Sequence, residues 1–127
     1  MDRRLFTRIE IPGTTIKYKR IGSKMFFSNL SKPSDMHNLS KSGLAFDVDQ
    51  ALGYGEKIHV KVRFPDGKNL NLKGQIRWNN PINGGGVYKV GIQFFPFGKS
   101  RNYNSLNTLD YLRSIDGLNV LNMNPDM

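Results

Sequence analysis

Three guanidinium groups open the chain, where Arg3-Arg4-Leu5-Phe6-Thr7-Arg8 places three residues between Arg4 and Arg8, with Arg3 beside them. Each planar fork can take a pair of phosphate oxygens or the O6/N7 edge of a guanine. Further on, Asn38-Leu39-Ser40-Lys41-Ser42-Gly43 brings an amide, a hydroxyl and a glycine together within six residues. The amide oxygen can accept from base N–H groups, the hydroxyl can bond phosphate or base, and the glycine admits close backbone approach. This chemistry is recognition of an anionic ligand, not bond making.

The catalytic inventory is poor. His37 and His59 are the only histidines; His59 alternates with lysines as a surface residue would, and His37 either edges the Asn38 turn or serves structure. The carboxylates are few and scattered, with no pair suited to acid/base work. Zero cysteines exclude disulfides and thiolate metal sites, and no other ligand set is apparent. The expectation is a protein that is not an enzyme and holds neither metal nor cofactor.

Strands must position these groups. Thr14–Arg20 alternates, with Ile16 and Tyr18 on one face and Lys17 and Lys19 on the other, and Ile9 and Ile11 alternate ahead of Pro12-Gly13. Ser34–Asn38 and Gly43–Val48 flank the polar turn. Lys57–Phe64 alternates cleanly, Pro65-Asp66-Gly67 is turn chemistry, and Leu70–Trp78 follows with Leu70, Leu72, Gly74, Ile76 and Trp78 on one face. Asn79–Gly86 reads as a Gly- and Asn-rich loop before a last strand, Tyr88–Phe95. Ile21–Pro33 reads as a loop folding the Met25-Phe26-Phe27 tip onto the barrel. Leu106, Leu109, Leu112 and Ile115 then recur at helical spacing, with Asn104 or Ser105 as N-cap and Gly117 as stop.

Six short strands with turn signals between them predict an all-β fold, a six-stranded antiparallel Greek-key β-barrel with a C-terminal helix. At 127 residues this is one domain, 1–117. It divides into an arginine-rich arm (1–13), the barrel (14–97) and the helix (104–116), with a flexible tail at 118–127. No apolar run approaches the roughly 20 residues of a membrane span and no apolar leader opens the chain, so a cytoplasmic protein without stable membrane insertion is expected.

Net charge is +9, and residues 1–24 carry seven Lys or Arg against Asp2 and Glu10. Such a field speeds encounter with anionic partners without choosing among them.

The pattern RxxxR (Arg4, Arg8) followed by NxSxxG (Asn38, Ser40, Gly43) resembles the PilZ domain family, which binds the bacterial second messenger cyclic di-GMP. Gly74-Gln75-Ile76-Arg77-Trp78 and Val90-Gly91-Ile92-Gln93-Phe94 resemble the later strands of its barrel, so the likeness runs from Arg4 to about Phe97. It implies that Arg4 and Arg8 grip phosphate and guanine, and that Asn38 stands where the commoner Asp would accept from guanine N1–H and N2–H₂. Arg3 ahead of the pair resembles members that take up a stacked dimer of the messenger. Trp78 reads as a core or rim aromatic, or as a base-stacking ring at a barrel mouth.

The resulting expectation is a stand-alone receptor whose arm becomes ordered on the ligand and which signals to a downstream protein not identified by the sequence. Two alternatives remain: a basic barrel that binds nucleic acid through Lys17, Lys19, Lys57, Lys61 and Arg63, and a PilZ-like protein-interaction adaptor without nucleotide binding. Nucleic acid is disfavoured because most Phe and Tyr are needed for the core.

Overall fold

The computed structural model describes residues 9–21, 31–82, 84 and 86–123, without the side chains of 116–123. The Arg3-Arg4-Arg8 arm, the Met25-Phe26-Phe27 tip and residues 124–127 lie outside the described residues. Six strands are present: β1 (Thr15–Arg20), β2 (Ser34–Leu39), β3 (Gly43–Val48), β4 (Lys57–Arg63), β5 (Asn69–Ile82) and β6 (Val87–Phe94), followed by α1 (Leu106–Met123).

All pairings are antiparallel, and the strands close a barrel in the order β1-β2-β3-β6-β5-β4. β4, β5 and β6 are consecutive neighbours and β3 lies beside β6, which is the Greek-key arrangement. Closure removes the open sheet edges that would otherwise invite aggregation. The inward period-2 positions make one core, including Ile16, Leu44, Phe46, Ile58, Val60, Val62, Leu72, Ile76 and Val90, each at most 2% exposed. β4 shows the pattern plainly, since Ile58, Val60 and Val62 are buried while Lys57 and Arg63 are exposed.

Four sequence expectations change. β5 continues through Asn79-Asn80-Pro81-Ile82, paired with Val87–Val90, where a loop was expected. β4 pairs β5 only as far as Gln75, so this extension has a single strand neighbour and Pro81 needs no second partner for its missing N–H. Trp78 leaves the inner face for the reason given below. The helix runs past Gly117 to Met123, so the glycine is an interior residue and not a stop, and 118–123 are helical.

The helix start decides between the two expected N-caps, and the fourth change is Leu106 on the helix itself. Ser105 is the N-cap, its Oγ accepting from the Thr108 N–H at 3.1 Å. Asn104 instead sits at φ +47° and is buried. Its Oδ1 accepts from Lys73 N–H at 2.7 Å, while its Nδ2 donates to the Lys73 and Phe95 carbonyls, both at 2.9 Å. That amide extends the β5 ladder where β6 ends and ties the helix to the barrel. α1 then buries Leu112 in the core and sets Tyr111 edge-on to Phe64 at 5.5 Å, whereas Leu106, expected on the same stripe, is exposed.

Candidate functional site

The polar turn between β2 and β3 is built by its own hydrogen bonds. Ser40 N–H donates to the Gly43 carbonyl at 2.9 Å, and the buried Ser40 Oγ accepts from Ser42 N–H at 3.2 Å and lies 3.0 Å from Ser42 Oγ. Ser40 therefore shapes the turn directly. Gly43 pairs with Gln93, and a Cβ on it would overlap the Ile92 carbonyl oxygen of β6. The close approach that demands glycine here is strand to strand.

Two bulges set the site's outer face. In β2, Met36 pairs with Phe46 but Asn38 pairs with Ala45, so His37 is the extra residue. Met36 and Leu39 are buried, while His37 and Asn38 are both half-buried between them. His37 Nε2 lies 2.6 Å from Asp47 Oδ1 on that outer side. In β5, Ile76 pairs with Ile92 but Trp78 pairs with Gly91, and this second bulge brings Trp78 out beside Arg77. A Cβ on Gly91 would fall inside the indole, so the Trp78 ring lies directly on the Gly91 backbone.

The register aligns Asn38, Ala45, Gly91 and Trp78 as one row across β2, β3, β6 and β5. Beside it, Ser42, Gly43, Arg77, Trp78, Gly91, Ile92 and Gln93 line a pocket of about 250 Å³. Pockets that enclose a drug-sized ligand run to about 300–1,000 Å³, so this one suits a single base-sized group. Arg77 is parked over the Tyr54 ring, 5.6 Å from its centroid. A larger open depression of about 570 Å³ at the start of α1 shares no residue with the motif.

The arm's attachment is described from Ile9 onward. Ile9 N–H donates to the Leu39 carbonyl at 2.9 Å, Leu39 N–H donates to the Ile9 carbonyl at 2.8 Å, and the Ile9 side chain is buried in the core. β2 pairs with β1 only at Ser34 and Asp35, which leaves its far end open for this bridge. The residue that follows Arg8 is thus fastened to the residue between Asn38 and Ser40. Of the residues expected in the site, Asn38, Ser40, Gly43, His37 and Trp78 share one side of the barrel, and Arg3, Arg4 and Arg8 lie outside the described residues.

Ile9, Arg77 and Gln93 were not singled out from sequence. The alternation of Ile9 and Ile11 around Glu10 carried the signal for the first; the outward phase next to Ile76 and Ile92 carried it for the others.

The family model for the PilZ domain matches residues 2–109. The chain belongs to the PilZ domain family. Among solved structures, it is similar to the Bacillus subtilis inhibitor of motility MotI/DgrA, with 12% identity and a TM-score of 0.70. That match covers 96% of this chain and 53% of the other, so the chain spans about half the length of that structure, and at this identity the likeness is one of fold. No curated protein matches significantly. Among the described residues, no helix is long and apolar enough to cross a membrane, and no cluster of His, Asp and Glu could hold a metal.

Proposed function

We propose that this PilZ domain is a receptor for cyclic di-GMP, held between the arginine arm and the outer face that carries Asn38, the β2–β3 turn and Trp78. The observation that carries the reading is the Ile9–Leu39 bridge, which fastens the residue after Arg8 beside the turn that ends in Gly43. Arg8 is one residue and Arg4 five residues from that anchor, which leaves both within reach of an anion seated there. Arg4 and Arg8 take phosphate and guanine edges, Asn38 accepts from a base, and Trp78 offers a stacking face over Gly91. Ser40 and Gly43 act at one remove, by fixing the turn. Arg3 allows a second, stacked messenger molecule.

Signalling follows from where the arm is fastened. The ligand would draw the segment before Ile9 onto the barrel, and the surface so formed would be read by a partner protein in the cytoplasm, without catalysis by this chain and without a resident cofactor. The inhibitor of motility with this fold makes a protein-directed output a natural model.

Calorimetric titration with cyclic di-GMP tests the reading and gives the stoichiometry. Saturable binding is expected, weakened roughly 10- to 100-fold in Arg4→Ala and in Arg8→Ala, the worth of one charge-assisted contact each. Heat unchanged by either substitution sinks the proposal.

A further inference from the structure

Across the barrel from the Asn38–Trp78 row, β1, β4 and β5 carry a second charged face. The register sets Lys19 opposite His59 and His59 opposite Lys73, and in the next outward row Lys17 opposite Lys61. Arg63 and Lys57 extend it along β4. No outward position of these strands is acidic. Carboxylates lie at its margins: Asp35 faces Thr15 from β2, Asp66 sits in the turn between β4 and β5 and accepts from Lys68 N–H, and Glu56 is held by Arg20. Like charges opposite one another on neighbouring strands weaken a sheet, so the fold gains nothing from this arrangement.

We propose that this face docks on the surface of a lipid bilayer rich in anionic headgroups, with Lys17, Lys19, Lys57, Lys61, Arg63 and Lys73 set among the phosphates. Five of the six are lysines, point charges on flexible stems, whereas patterned recognition of fixed acceptors favours the arginine fork. Strands of a closed barrel turn away from one another, so the six charges splay over a convex surface. A rigid partner with fixed charge spacing meets only some of them; a fluid bilayer brings its headgroups to each. No aromatic residue stands among the outward positions from Asn69 to Gln75, nor on the outward positions of β1 and β4. The aromatic ring that touches the six charges, Tyr103 from the segment before α1, is half-buried and covered by the Lys73 ammonium, 3.6 Å from its centroid. On the strands themselves single-stranded nucleic acid has no stacking platform, and a protein partner has no aromatic anchor. The contact is electrostatic and peripheral, with no apolar group to insert.

His59 lies at the centre of the face and reports on it. Its Nε2 is buried without a hydrogen-bond partner. Burial holds its pKa below the ordinary histidine value, and Lys19, Lys73 and Lys61 push it further in the same direction. Those lysines, with Lys57 on its own strand, are the charged groups facing it from β1, β4 and β5. Phosphates settling on the lysines cancel their share of the effect, so the His59 pKa rises on docking.

Sedimentation with phosphatidylcholine vesicles, with and without phosphatidylglycerol, tests the proposal without reference to nucleotide binding. Uptake is expected only by the anionic vesicles, declining as salt rises. Each of Lys17→Gln, Lys61→Gln and Lys73→Gln should lower partitioning about fivefold, and the triple variant about a hundredfold, from roughly 1 kcal/mol per lysine near an anionic surface. Lys89→Gln, on β6 across the barrel from β1, should change nothing. The triple variant relieves repulsion and should keep its thermal midpoint, and the native His59 resonances should titrate at higher pH with anionic vesicles present. Equal uptake by neutral vesicles, no uptake by either, an unaffected triple variant, an unmoved His59 titration, or tighter binding to RNA than to vesicles at the same salt overturns the proposal.

Discussion

Replacing Gly43 with alanine asks whether that glycine serves the barrel or the ligand. The added Cβ would overlap the Ile92 carbonyl oxygen and lie 3.2 Å from its carbonyl carbon, both backbone atoms of β6. No side-chain rotation relieves this contact. β3 and β6 must separate next to the Phe94 N–H to Ser42 carbonyl bond, 2.9 Å long in the native protein. Overpacking of this kind costs about 1–3 kcal/mol, and one weakened hydrogen bond adds about 1 kcal/mol, giving about 3 kcal/mol in all. A domain of this size then melts about 10 °C lower, and its urea midpoint falls by about 1.5 M for a slope near 2 kcal/mol/M. Gly91→Ala is the internal comparison. Its Cβ meets the Trp78 indole, a side chain that can swing away, so stability should fall by less than about 1.5 kcal/mol while tryptophan emission shifts. The assay is urea unfolding without ligand, followed by circular dichroism and fluorescence. If Gly43→Ala unfolds within about 0.5 kcal/mol of the native protein yet no longer binds nucleotide, the glycine serves the ligand and the strand-contact argument is wrong.

Asn104→Ala removes three side-chain hydrogen bonds and leaves an ordinary residue at positive φ, so stability should drop by about 3–4 kcal/mol in chemical denaturation. A loss under 1 kcal/mol would remove the link between β5 and the helix from the account. His59 has a folded pKa below 6.5, so beneath that pH the unfolded chain binds a proton that the folded one refuses, and stability falls as pH drops from 6.5 toward the folded value. His59→Gln should flatten that slope in unfolding measured between pH 5 and pH 7, and an unchanged slope refutes the assignment. Asn38→Asp restores a charged acceptor and should tighten cyclic di-GMP binding about tenfold by calorimetry, whereas equal or weaker binding counts against Asn38 as the base acceptor.

The barrel was legible in the sequence because period-2 alternation survives in nearly every strand, and β4 with its lysines outside and its Ile and Val inside needs no tertiary information to read. The extension of β5 was not legible. Asn79-Asn80-Pro81 carries turn composition, and only its place on a two-stranded flap beyond β4 makes proline acceptable there. The turn motif was found by residue type, but the division of labour inside it was hidden. That Ser40 is buried and that Gly43 faces a β6 carbonyl are consequences of which strands become neighbours, and sequence spacing is silent on that. Likewise the Ile9 bridge depends on β2 having an unpaired end.

The two bulges explain how two residues at core-phase positions reach the outer face. In unbroken strands Asn38 would share the phase of Met36, and Trp78 that of Ile76, so both would point into the core. An unpaired amide there is costly, as is an indole with no partner for its N–H. One extra residue in each strand, His37 in β2 and Arg77 in β5, turns both outward at the ends of a single row whose middle members are Ala45 and Gly91. The small middle residues then become intelligible. A larger side chain at Gly91 would displace the Trp78 ring, and through it the wall of the neighbouring pocket. A polar or bulky residue at a core-phase position of an otherwise regular strand is thus itself a sign of a bulge. Here both such residues, found on separate strands 40 positions apart, come to one face.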